Sequence, residues 1–180
     1  MFIKEELFAK NLFLVEPTEK YQRSFKNYTL AYKKINDNHY FTKYEKSLEN
    51  FEKYSQDLLN YSKGKNLPLG LTNTSTFWLI DDDTVVGVLR IRHKEDEFAG
   101  HIGYDISPNY RNRGYGFMIL NLALEKALSI GLNEIILTCN IDNIASKRII
   151  EKNNGKLLET IFDEEENEYL YKYIIAIEDN

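Results

Sequence analysis

Cysteine is nearly absent: the 180 residues hold one, Cys139, so an intramolecular disulfide, a CxxC redox pair and a cysteine-rich metal site are all excluded. Cationic excess is absent too. With 23 Lys+Arg against 28 Asp+Glu the formal charge is -5, which argues against a sequence-independent nucleic-acid binder, since that needs a positive field to release counterions from phosphates. No apolar run approaches the roughly 18 residues that a membrane-spanning helix requires. The opening Met1–Phe8 stretch is too short and too acidic for a secretory signal, so a cytoplasmic, membrane-free protein is expected. Neither an internal repeat nor a linker-like stretch interrupts the chain, and one domain over 1–180 is the expectation. At 43% hydrophobic and 28% charged the composition is ordinary for a globular domain, and a chain of this length can bury about 70% of its unfolded surface.

What is abundant is tyrosine. Seven of the 13 tyrosines (Tyr21, Tyr28, Tyr32, Tyr40, Tyr44, Tyr54 and Tyr61) fall in the first third, among many lysines. A short strand is expected at Asn11–Glu16. A helix should follow from Thr18, with Tyr21, Phe25, Tyr28 and Tyr32 on one face, and a second should run from Lys43 to Tyr61 and stop at Gly64. Amphipathic packing explains these tyrosines better than a ligand-binding aromatic box. Beyond a loop around Pro68, Ser75–Ile80 and Val85–Arg92 read as a hairpin with Asp81–Thr84 at its tip. Adjacent aspartates there are solvated turn residues, and no metal site is expected. His101–Ile106 is a third strand after the charged connection Lys94–Glu97. A long helix spans Phe117–Ser129, a buried strand Glu134–Cys139, and a short helix Asn143–Lys152. Two last strands, Lys156–Phe162 and Tyr169–Ile177, close the chain. The pattern predicts an α/β fold, a mixed sheet with helices on its faces.

Chemistry concentrates between the third strand and the long helix, at Arg111, Asn112, Arg113, Gly114, Tyr115 and Gly116. Glycines permit a tight turn and close backbone approach, and the helix start behind them offers unpaired N–H groups and a positive dipole end. Together with the two arginines they make a phosphate cradle. No Gly-Lys-Ser/Thr follows, which excludes an ATP- or GTP-type P-loop. Position 119 is Ile rather than the third glycine of a dinucleotide fingerprint.

The stretch resembles the acetyl-CoA signature of the GNAT superfamily of N-acetyltransferases, Arg/Gln-x-x-Gly-x-Gly/Ala, matched at Arg111, Gly114 and Gly116. Tyr104-Asp105-Ile106-Ser107-Pro108-x-Tyr110 is similar to that family's fourth strand and its Pro-x-Tyr entry. Leu137–Asn140 and Asn143–Lys152 resemble its fifth strand and the helix flanking the CoA arm. The likeness covers about residues 75–177 well, while the first third matches only in the order of its elements.

What the resemblance implies is a GNAT acyl-CoA N-acyltransferase fold, with a mostly antiparallel sheet splayed between its fourth and fifth strands and acetyl-CoA wedged in the gap. Backbone groups of Tyr104, Asp105 and Ile106 would pair with the pantetheine amides. Arg111 to Gly116, Asn112 and Tyr115 included, would hold the pyrophosphate, and Asn143 and Ser146 would approach the CoA arm. A primary amine of a small molecule, a peptide N-terminus or a lysine would attack the thioester directly. A homodimer is compatible with the resemblance, and no metal enters. Ile150 stands where many members carry a tyrosine acid, so that role does not carry over by position.

Candidate bases are His93, Glu95, Asp96, Glu97 and His101, the histidines leading because they titrate nearest neutrality. Tyr104, Tyr169 and Tyr171 are candidate acids. Strand alternation puts His101 and Gly103 on the face opposite Ile102 and Tyr104. Cys139 reads as a small buried residue. Two rivals stay open: an acyl-CoA-binding sensor without turnover, and an interaction domain that uses its Tyr-rich helices.

Overall fold

In the computed structural model, which describes residues 11–177, seven strands form two antiparallel sheets. The first has the order β1 (Leu12–Val15), β2 (Thr74–Asp81), β3 (Thr84–Asp96) and β4 (Gly100–Ile106). The second runs β5 (Glu134–Asn140), β7 (Glu168–Ala176) and β6 (Lys156–Asp163), with β7 in the middle. Antiparallel pairing links neighbours throughout, so each strand alternates sides and can serve two cores.

Both faces of the first sheet are covered. One is packed by α5 (Tyr115–Ser129), whose Ile119, Leu120, Ala123 and Ala127 meet Leu79, Leu89, Ile91 and Ile102. That core continues into the second sheet through Ile135, Leu137, Tyr173 and Ile175. The other face is covered by α1 (Gln22–Lys34), α2 (Asn38–Tyr44), α3 (Lys46–Glu49) and α4 (Phe51–Ser62). Here Phe25, Tyr28, Tyr32, Tyr44 and Phe51 enclose Trp78, Ile80 and Val88. Ring contacts dominate, with Phe25 and Trp78 centroids 4.6 Å apart, and such pairs contribute about 0.5–1.5 kcal/mol each beyond buried area. Of the tyrosines of the first third, Tyr21, Tyr28, Tyr32 and Tyr44 are core residues, and Tyr40 and Tyr54 pack half-buried against them.

The N-terminal helices differ from expectation. Thr18 leads into a single 3₁₀ turn, Glu19–Tyr21, before α1, and its side chain makes no capping bond. The single helix expected over 43–61 is three. At Asn50 the backbone is extended (φ -147°), and its side chain accepts from Lys53 N at 2.9 Å, ending one helix and capping the next. Asp37 caps α2 in the same way through Tyr40 N. The stretch expected as a charged connection continues β3 to Asp96, whose carboxylate then accepts from the N–H groups of Phe98 and Ala99 to make the turn. Elsewhere the elements lie where the periodicity puts them, including α6 (Ile144–Lys152) with Asn143 as its N-cap.

Candidate functional site

β4 and β5 are neighbours without a hydrogen-bonded ladder between them, and each closes one edge of its own sheet. They touch at one end. His101 Nδ1 accepts from Ile136 N–H at 3.0 Å, and Thr138 Oγ1 donates to Phe98 O at 2.5 Å. Gly100, at φ +60°, lies so close that a Cβ there would stand 2.5 Å from Ile136 O. Beyond this pinned end no ladder of backbone hydrogen bonds joins the two strands.

Antiparallel geometry decides what faces the gap. Ser107 N–H bonds to Val86 O, and Val88 pairs with Asp105 and Arg90 with Gly103. The alternation of bonded and non-bonded pairs therefore turns the backbone groups of Asp105 and Gly103 toward β3 and those of Tyr104 and Ile106 toward β5. Two of the expected pantetheine contacts thus lie on the open edge and one does not. Asp105 sends its backbone to β3 and its carboxylate into the N-terminal helices, where it accepts from Tyr28, Tyr32 (2.7 Å), Tyr44 (2.5 Å) and Arg90 (2.8 Å). Ile106 O is already shared by Tyr32 Oη at 3.1 Å and Arg111 Nε at 3.3 Å. Of these three residues, that leaves Tyr104 and the Ile106 N–H open on this edge.

At the mouth of the gap, Gly114 caps α5 in the left-handed region (φ 84°), preceded by Asn112 at φ 61°. These two residues fold the loop back so that the first turn of α5 presents its N-terminus, the part of a helix suited to an anion. Arg111 and Arg113 are exposed beside it. Arg111 also reaches Asp37 at 3.7 Å and lies over the Tyr32 ring, and Arg113 lies over Tyr110. Tyr115 is buried and donates to Asp81, so its side chain is structural. Gly116 serves helix packing, since a Cβ there would meet Ile149 Cδ1 at 2.6 Å. Asn143 is exposed and spends its side chain capping α6 through Ser146 N.

Inside the gap, Tyr104 Oη is buried with no hydrogen-bond partner of good geometry. Burial pushes its pKa up to about 12, a rise that the neighbouring Ser146 hydroxyl partly offsets. Ser146 acts on Cys139 in the same sense, against a thiol pKa that burial raises. Tyr104, Ser146 and Cys139 thus form one small polar group where β4, β5 and α6 meet, and the tyrosine remains a proton donor at neutral pH.

The other candidates are elsewhere. His101 is on the opposite face of β4 from Tyr104, with the lone pair of Nδ1 used by Ile136; burial lowers its pKa. His93 Nε2 is 2.8 Å from Ser75 Oγ on β2, the far side of β3 from the gap. Glu97 lines a separate acidic cavity of about 570 Å³ with Glu159, Asp163 and Glu165, and Glu95 pairs with Lys172 at 2.7 Å. Asp96 closes its turn. Ile150 is a core residue, 1% exposed, so the missing tyrosine leaves no polar substitute at that position. Tyr169 is exposed, and Tyr171 stacks under Lys147 at 5.0 Å. No group of metal-binding side chains occurs among the described residues.

Sequence reasoning passed over Arg90 and Arg92, which project from β3 onto the helix-covered face. Their signal was present: two cations at i and i+2 at the end of the otherwise apolar run 85–92 must share one face, and cations are rarely buried without a function or a partner.

A model of the acetyltransferase (GNAT) family matches residues 11–155. The uncharacterized N-acetyltransferase YnaD of Bacillus subtilis is 33% identical over 75 residues, a stretch that spans 41% of this chain and 44% of that protein. Among solved structures, RimL, a ribosomal L7/L12 alpha-N-protein acetyltransferase in complex with coenzyme A, has a TM-score of 0.71 at 18% identity over 94% of this chain and 95% of its own. RimJ of Mycobacterium smegmatis, in complex with a CoA disulfide, has 0.68 at 13% identity over 92% and 81%. The chain belongs to the acetyltransferase (GNAT) family.

Proposed function

We propose that this protein is an N-acetyltransferase that moves the acetyl group of acetyl-CoA directly onto a primary amine of a small molecule or a peptide. The observation that carries the reading is the unladdered edge of β4, with Tyr104 and the Ile106 N–H turned into a gap whose mouth is the N-terminus of α5. A pantetheine arm can pair with that edge as an extra strand would. Gly114 and the start of α5 suit a pyrophosphate. Acetyl-CoA supplies an acetyl thioester already activated for attack. A backbone N–H of the open edge polarises the carbonyl, the usual electrostatic contribution to acyl transfer. The amine nitrogen forms the new C–N bond as the C–S bond breaks, and the proton it loses passes to water, which returns one to the Tyr104 oxygen after the transfer. The buried Tyr104 hydroxyl, with Ser146 beside it, is the group we assign to protonate the departing thiolate.

A second reading, acyl-CoA binding without turnover, draws on the buried Ile150 where an acid was expected. Thermal unfolding with acetyl-CoA, CoA, ATP or NAD separates binding from its absence, since a ligand at 100 times its Kd adds about 2.7 kcal/mol. Stabilisation is expected with acetyl-CoA and CoA alone, and none with acetyl-CoA at millimolar concentration would refute both readings. Amine-dependent release of the CoA thiol then supports turnover, and its absence with every amine leaves the binding reading.

A further inference from the structure

The helix-covered face of the first sheet holds a cavity of about 620 Å³ between α2, α3, α4 and β2–β3, lined on one side by Tyr44, Tyr54, Leu58 and Tyr61 and at one end by Lys43, Arg90 and Arg92. That cationic end adjoins the gap. A Cβ on Gly103 would stand 3.8 Å from Arg92 Nη1 and 3.9 Å from Arg90 Nε, so both guanidinium groups lie over the residue next to Tyr104. On this side of β4 an amine would approach a thioester held between β4 and β5 from the face opposite the α5 core.

The three cations are not equally engaged. Arg90 is consumed by Asp105 and Tyr44. Arg92 donates only to the carbonyls of Ala99 (3.2 Å) and Gly100 (3.4 Å), and among the described residues it makes no ion pair; Asp96 attracts it from beyond that distance. Lys43 meets His39 Nε2 at 2.7 Å and the Tyr40 ring, again with no carboxylate partner among the described residues. Desolvation first, then repulsion from Arg90, lowers the Lys43 pKa; desolvation lowers that of Arg92. Around the cavity five cations, with Lys46 and Lys53 added to these three, face two carboxylates, Glu49 and Asp57, the second of which is paired with Lys53, so the local balance is positive in a protein of net negative charge. A cavity with aromatic walls and two unpaired cations suits an organic anion, and a guanidinium matches a carboxylate with two parallel hydrogen bonds.

We propose that this cavity receives the acceptor, and that the acceptor is an amine carrying a carboxylate, which Arg92 and Lys43 hold while the amine lies over Gly103 at the gap. The inference rests on the acetyltransferase reading and narrows its substrate class. The net charge of -5 is too small to choose among acceptors, and the local field is what meets the ligand.

The test is CoA-thiol release with ω-amino acids from glycine to 6-aminohexanoate, their amides and the diamines of matching length, together with peptides whose second residue is aspartate or lysine. The amino acids, or the aspartate peptide, are expected to exceed their neutral and cationic counterparts at least tenfold in kcat/KM. Arg92→Gln should erase that preference while the acetyl-CoA Kd, read by calorimetry, stays within twofold, and Arg92→Glu should invert it toward the diamines. Preference for diamines or amides in the unaltered protein would overturn the inference and leave the acetyltransferase reading standing. A loss of acetyl-CoA affinity in Arg92→Gln would overturn it too, by assigning the cation to the cosubstrate. Release with no amine at all, despite acetyl-CoA binding, would remove the acetyltransferase reading and this inference with it.

Discussion

Tyr104 carries two chemistries at once, a backbone turned to the gap and a hydroxyl buried within it. Its pKa of about 12 means that the acid form is present through the neutral range and is lost only as pH rises toward that value. Tyr104→Phe is therefore expected to lower kcat about 100-fold with acetyl-CoA affinity unchanged, measured by steady-state kinetics and calorimetry. The unaltered protein should show no fall in kcat with a midpoint near 10. Such a fall, absent from Tyr104→Phe, would mean that the phenol is solvated and the assignment wrong. His101 makes a different prediction. Its folded pKa is depressed below 6.5, so its contribution to stability is complete above 6.5 and is lost as pH falls through the folded value. Denaturant unfolding at pH 7.5 and 5 should show a smaller acid loss in His101→Asn, whose side-chain oxygen can still accept from Ile136. An unchanged loss would assign the acid sensitivity to other groups.

Among elements, the pinned and the open ends of the β4–β5 gap should respond oppositely to substitution. Gly100→Ala places a methyl against the backbone of β5 at a positive φ, where left-handed strain of about 1–2 kcal/mol adds to overpacking of about 1–3 kcal/mol. A drop in Tm of at least about 5 °C is expected by calorimetry, at roughly 2–4 °C per kcal/mol for a domain of this size. Gly114 tests the other end. Gly114→Val strains the loop that presents α5 and should weaken acetyl-CoA binding more than tenfold. Gly114→Asn should bind nearly normally, because asparagine tolerates the left-handed region. Equal affinity in both variants would place the pyrophosphate elsewhere. Most elements were legible in sequence because their signals are local: a valine-rich apolar run in 85–92, a 3.6-residue period in α5, cap residues at Asn143. The break at Asn50 was not, since one capping side chain outweighs a helical period that runs through it.

Across the whole molecule, Asp105 ties the N-terminal helices to β4 through three tyrosine hydroxyls and Arg90. Its side chain is 2% exposed, and that of Arg90 is 22% exposed. Burial opposes the Arg90 charge, but Tyr44 and Asp105 outweigh it and raise its pKa; burial, with Asp105 beside it, raises that of Tyr28. Removing one partner of such a buried pair costs about 3–5 kcal/mol. Asp105→Ala is accordingly expected to lower Tm by roughly 10 °C or more, while Tyr44→Phe, which deletes one bond to Asp105 and one from Arg90, should cost about 1–3 kcal/mol. Equal losses in the two would mean that the hydroxyl, not the ion pair, anchors the network.

The sequence by itself determined the class of fold, the arginine–glycine turn before α5 and the strand that carries Tyr104, because each is written in residues near one another along the chain. Only the tertiary structure decided which side chains work together. Tyr28 and Tyr32 read as part of one helix face and Tyr44 falls in a second expected helix, yet the three hydroxyls converge on Asp105, more than 60 positions away. His101 reads as a base and serves as a bolt between two sheets. Arg92 reads as one charge among 23 cations, and only the fold sets it over Gly103 beside Tyr104. A side chain's chemistry is set by the field, water and partners around it, and those come from contacts distant in sequence.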